Sequence, residues 1–147
     1  MPKVDMSSRE LVDSIDSEQV RLRALLAGRD EGKLATRKAN GDWSVIEHVR
    51  HLLFAEQLHL GRLLGGPVAW SPLGFAHDGL LRKFPLVNTA TPANVSEVLA
   101  AWQEAHRATP GLAERDSEAV RDALAKHLRH LRSHVDIVER RIRKLRA

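Results

Sequence analysis

The chain has 147 residues, enough for one domain with a sizeable core, and its 43% hydrophobic and 29% charged content is ordinary for a soluble globular protein and argues against disorder. It contains no Cys and no Tyr, which excludes disulfides, thiolate metal sites and cysteine nucleophiles and leaves any thiol chemistry to a thiol brought by a small molecule. A net charge of +4 admits a polyanionic partner. No apolar run reaches bilayer-spanning length and MPKVDMSSRE lacks a secretory signal, so a cytoplasmic protein with no membrane partner is expected.

Four segments carry helical periodicity. The first starts near Ser7 or Ser8, either of which can cap it, and runs to Gly28 with Leu11, Ile15, Leu22 and Leu25 at helical spacing. A charged stretch, 29–42, follows and closes in the turn Asn40-Gly41-Asp42. The second helix starts sharply, because Ser44 and Glu47 make an S-x-x-E capping box whose side chains satisfy each other's orphan backbone donors. Trp43, one position before the cap, is placed to staple onto His48 or the nearby core. Val49, Leu52, Leu53, Leu60 and Leu64 carry this helix to Gly65-Gly66-Pro67.

Residues 65–90 show no periodicity and are interrupted by Pro67, Pro72, Gly74, Gly79 and Pro85. A connection of this length is expected to be functional or to cover an open end of the core. The third helix is expected to open with Thr91 as cap and Pro92 at its first position. It should run through Val95, Val98, Leu99 and Trp102 to about Thr109, ending or kinking at Pro110-Gly111. The fourth starts at Ser117 and carries Leu124, Leu128, Leu131, Val135, Val138, Ile142 and Leu145 in alternating steps of four and three, a continuous core-facing seam. Arg129, Arg132, Arg140, Arg141, Arg143, Lys144 and Arg146 lie on it and complement the negative end of its dipole, so a solvated helix end is expected there rather than a polyanion site. The fold class is therefore all-α: one four-helix bundle domain over residues 1–147, with a long loop between helices two and three.

Eight histidines are present, and His127, His130 and His134 share the last helix. Each precedes a residue of the apolar seam, so their stripe lies about 100° around from it and borders the core. Histidines at i and i+4 lie on one face and can converge on a metal at about 2.0–2.1 Å, with a third from a facing helix completing a three-nitrogen site. Three protein ligands leave coordination positions open, the pattern of a catalytic rather than a structural site. The second helix offers His48, His51 and His59; His51, aligned with Phe54, Ala55 and Leu58, is favoured, and His48 one turn away stays open. The competing reading is structural, because HxxxH also arises on helices that hold no metal. His77, beside Asp78, reads as an ordinary loop residue with substrate contact as the alternative, and His106 as a solvent-facing residue. Glu47 reads as a cap, and Glu56 either as an acceptor for a ligand histidine's N–H or as a surface residue.

The segment Trp43-Ser44-Val45-Ile46-Glu47-His48-Val49-Arg50-His51-Leu52, with Glu56 following, resembles the W-S-x-x-E-x-x-x-H-L start of the second helix in the DinB-like superfamily. His130-Leu131-Arg132-Ser133-His134 resembles that family's final-helix H-x-x-x-H signature. The resemblance covers nearly the whole chain and implies a metal held by His51, His130 and His134, choosing His51 over His48 by its place in the frame begun at Trp43. Some members carry Gln or His three residues after the last ligand, where this chain has Ile137, so a polar contact is missing. His127 is an additional histidine, placed by this reading near the site mouth.

Characterised members include metal-dependent transferases and isomerases that use low-molecular-weight thiols. The resemblance therefore implies a metalloenzyme with Zn²⁺ or Ni²⁺ and a low-molecular-weight thiol as cofactors, acting on a small-molecule substrate as an S-transferase or, as the nearest variant, a hydrolase. The metal would lower the pKa of a bound thiol or water, and Trp70, Phe75 and Phe84 of the long loop are candidate apolar walls. The alternatives are a non-catalytic, stress-related metal-binding bundle and, further off, a basic nucleic-acid-binding module, which lacks a recognition motif and an aromatic platform. No nucleic acid is expected as a partner, and a homodimer through exposed apolar strips is allowed.

Overall fold

The computed structural model describes residues 6–145; Arg146 lies outside them. It contains α1 (Ser8–Leu26), α2 (Glu31–Ala35), α3 (Val45–Leu60), α4 (Val95–His106) and α5 (Glu118–Lys144), with 3-10 turns at Gly61–Leu64, Asp78–Leu80 and Thr109–Glu114. No strand occurs among the described residues. The protein is an all-α bundle of four longer helices, α1, α3, α4 and α5, with α2 as a short addition. The periodicity misses α2, whose five residues are too few to show a face, although Asp30 caps it by accepting from the Lys33 amide.

Capping residues set most boundaries. Ser7, rather than Ser8, caps α1, in a capping box with Glu10. Ser44 and Glu47 form the box that starts α3, and Glu47 also accepts a two-pronged ion pair from Arg37 of the preceding loop. The expected start of α4 is corrected: Asn94, not Thr91, is its cap, because Asn94 Oδ1 accepts the Glu97 amide while Glu97 accepts the Ala93 amide. Thr91 and Pro92 are therefore non-helical. The helix also stops at His106, and Thr109 and Pro110 begin a separate 3-10 turn.

The long α5 is the spine. Its seam residues Leu124, Leu128, Leu131, Val135, Val138 and Ile142 are buried, α5 packs on α1 and α3, and α4 packs on α3. Leu11, Ile15 and Leu22 of α1, Val49, Leu52 and Leu53 of α3 and Val98 and Trp102 of α4 complete one continuous core. α3 is buried over most of its circumference, including His48, Arg50, His51 and Glu56. Polar side chains in such positions need partners, and their partners build the site.

Candidate metal centre

α3 and α5 face each other across the seam, and this packing brings His51, His130 and His134 together: one nitrogen from each lies within 4.8 Å of the others. His51 Nε2 is 3.3 Å from His130 Nε2. The ring of His134 lies 5.0 Å from that of His51 and 4.5 Å from that of His130, centroid to centroid.

The orientation of His51 is fixed from behind. Its Nδ1 is 2.9 Å from the Phe75 carbonyl, and a carbonyl only accepts, so Nδ1 carries the proton and Nε2 turns its lone pair toward His130. That carbonyl is placed by a residue the sequence reading passes over. Arg50, buried and without a carboxylate partner among the described residues, donates to the carbonyls of Leu73 and Ala90 and to Asn88 Oδ1, and its guanidinium lies over the Phe75 ring. The Phe75 amide in turn donates to the Arg50 carbonyl. Asn88, at a φ of 61°, turns the chain so that its amide reaches Gly74. The long loop is thus pinned to the helix that carries His51. A cation lodged among apolar positions of a helix is the signal that could have marked Arg50.

Burial pushes the protonation of these imidazoles well below the ordinary histidine value. For His51 the pKa falls to about 4, through burial and then the neighbouring histidines; for His134 it falls to about 3 for the same reasons. His130 is lowered by burial and by Lys126. Neutral imidazoles are the state in which lone pairs are available to a cation. The donor set also fits one: it is all nitrogen, and among the described residues His130 Nδ1 is buried without a hydrogen-bond partner. Three imidazoles with no carboxylate suit a divalent transition metal rather than Mg²⁺ or Ca²⁺.

The other histidines divide into two groups. His48 joins the triad's edge, with its Nδ1 at 2.9 Å from His134 Nδ1. His77 stacks on Trp43 at 4.7 Å and its ring lies 5.9 Å from that of His51, so this loop residue belongs to the site's surroundings. Trp43 touches His48, His51 and Phe75 as well and forms a wall. His127 is corrected: instead of marking the mouth it is fully buried, with His59 Nδ1 at 3.2 Å from its Nδ1.

His106 is likewise not solvent-facing. It lies between two carboxylates, with Nδ1 at 2.6 Å from Glu56 Oε2 and Nε2 at 2.8 Å from Asp16 Oδ1. Glu56 is not a surface residue, and it does not reach the triad. It is 2% exposed and accepts from Gln19, Trp102 and Thr109 besides His106, while His127 Nε2 stays 3.8 Å away.

A cavity of about 580 Å³ opens beside the triad, lined by Trp43, His48, His77, His134 and Ile137 together with basic side chains. Of the expected apolar walls, Phe75 stands against Trp43. Trp70 and Phe84 do not line this cavity; they pack with Phe54 in a separate apolar cluster under the loop.

Comparison with known families gives a match to the family model described as the DinB superfamily, over residues 14–138. No curated protein matches the chain, and no solved structure does. Among the described residues, no helix is long and apolar enough to cross a membrane.

Proposed function

The chain belongs to the DinB superfamily, and from that premise we propose that it is a divalent-metal-dependent enzyme in which His51, His130 and His134 hold Zn²⁺ or Ni²⁺. The observation that carries this reading is the convergence of the three imidazoles beside an open cavity, with His134 belonging to both. The favoured reaction is S-transfer, in which a low-molecular-weight thiol attacks an electrophilic small molecule. When bound, the metal would supply Lewis acidity, favouring the thiolate near neutral pH.

The chain's own residues have separable tasks. The Phe75 carbonyl holds the His51 proton on Nδ1 and so commits Nε2 to the cation. Arg50 keeps that carbonyl in place by tying the loop to α3. Trp43 covers His51 and His48 and gives the reacting groups an apolar side wall. His77, exposed on the loop and stacked on Trp43, is placed to meet the substrate.

The test is metal content and turnover on the same preparations. Purified protein is expected to carry or take up stoichiometric Zn²⁺ or Ni²⁺, and His51→Ala, His130→Ala and His134→Ala are each expected to lose it while keeping helical circular dichroism. Unchanged metal in all three variants would sink the triad. If metal binds and no thiol is transferred to any of a panel of epoxides, alkyl halides and activated alkenes, the metal braces α3 against α5 and the transferase reading fails.

A further inference from the structure

The cavity beside the triad has a second chemistry. Its far side is lined by Lys38, Arg140, Arg141 and Lys144, with Asp42 as the one carboxylate among its lining residues. An adjoining depression of about 400 Å³ shares Lys38, Arg141 and Lys144 and adds Lys33 and Arg37. The two form one basic cleft that begins at His48 and His134 and ends at the C-terminal turn of α5.

Helix-dipole complementarity does not explain this cleft. The dipole asks for cations in the last turn of α5, whereas Lys33, Arg37 and Lys38 come from α2 and the segment after it. The acidic residues of the same stretch of α5 face elsewhere: Asp136 and Glu139 both pair with Arg21 of α1. Within the cleft, Asp42 pairs with Lys38, while Arg37 pairs with Glu47, which lines neither hollow. Arg141 is held by the carbonyls of Trp43 and Thr36, which fix its position without neutralising it. Among the described residues, neither Arg140 nor Lys144 pairs with a carboxylate. With Arg141 held by carbonyls and Arg140 and Lys144 unpaired among the described residues, the charge around this concavity focuses field and collects anions.

We propose that this cleft is an anion subsite, receiving a carboxylate or phosphate group of a small-molecule substrate whose other end lies toward His134. The orientation of that other end rests on the metal-enzyme reading; the anion subsite itself does not. A volume of about 580 Å³ falls in the range of small-molecule sites, and the cations line a hollow instead of spreading along a face, which favours a small anion over a nucleic-acid backbone.

The experiment is calorimetric titration of the full-length, metal-loaded protein at low ionic strength with inorganic phosphate and, separately, with succinate. The comparison variants are Arg140→Glu with Lys144→Glu, both exposed, and Arg129→Glu, which is exposed and outside the cleft. At least one probe is expected to saturate, and the tighter one identifies the group as carboxylate or phosphate. The double variant should weaken it by about tenfold or more, with Arg129→Glu leaving it unchanged. Metal content of the double variant should match the parent, so a lost anion site is distinguishable from a lost metal site. Three results overturn the proposal: neither probe saturating, equal binding by the double variant, or binding that vanishes in His51→Ala while surviving in the double variant, which places the anion on the metal instead. Tighter retention of duplex DNA than of either small anion also overturns it.

Discussion

Glu56 is heavily committed, since four donors from α1, α4 and the turn after α4 converge on one buried carboxylate. Burial alone would raise its pKa, but the hydrogen bond and charge of His106, with help from His127 and Thr109, outweigh that and lower it below 4.5. His106 moves the opposite way. Burial lowers it, and the bonds and charges of Glu56 and Asp16 more than compensate, raising it above 6.5. The stabilisation from His106 is complete below its unfolded value and fades as pH rises through the raised folded value. That from Glu56 is complete above its unfolded value and fades as pH falls through the depressed folded one. Glu56→Gln keeps the shape and is expected to cost about 1–3 kcal/mol, and Glu56→Ala, which strands four donors, about 3–5 kcal/mol. In urea melts the gap between Glu56→Gln and the parent should be widest at about pH 5–6 and narrow on both sides; a gap independent of pH would mean the His106 charge plays no part. The sequence reading set His106 toward solvent, although it follows Trp102 at i+4 and so shares that residue's face, which is the signal that could have turned it inward. A carboxylate that needs four partners from three distant segments leaves no such signal.

Element boundaries follow local hydrogen bonding, and α4 shows where pattern alone misleads. Thr91-Pro92 is a favoured helix start by composition, yet Asn94 accepts the Glu97 amide and the helix begins at Val95. Asn94→Ala is expected to cost about 1 kcal/mol of stability, while Thr91→Ala, exposed and outside the helix, should stay within about 0.5 kcal/mol of the parent. Denaturant melts of the two variants decide it, and the reverse order would return the cap to Thr91. The starts of α3 and α5 were readable because a serine cap, an acidic first turn and an apolar period all agree there. α2 was not, since its burial depends on Leu34 alone. The fold of the long loop was illegible for a related reason. It is held by Arg50 and by pairing of the Asn88 to Ala90 amides with the Pro72 and Gly74 carbonyls, and neither leaves a periodicity.

At the scale of the whole molecule, the proposed metal would join the two helices that the core already presses together. His51 lies on α3 and His130 and His134 on α5, separated by the loop, α4 and the 3-10 turn of Thr109–Glu114. The apolar seam of α5 is buried along its length, so the fold is expected to outlast removal of the ion. Three imidazoles from distant segments do not converge in the unfolded chain, so a cation that prefers the triad binds the folded state and shifts its stability by mass action. With free metal about a hundredfold above its dissociation constant the gain is about 2.7 kcal/mol, which for a chain of this size raises Tm by roughly 5–10 °C. A chelator should reverse the shift without collapsing the fold. His130→Ala and His134→Ala should melt near the metal-free parent and respond to neither Zn²⁺ nor the chelator. His106→Ala, remote from the triad, should melt lower yet keep the full metal-dependent rise. If Zn²⁺ raised Tm equally in the triad variants, the ion would be binding elsewhere, and the joint between α3 and α5 would be one of packing alone.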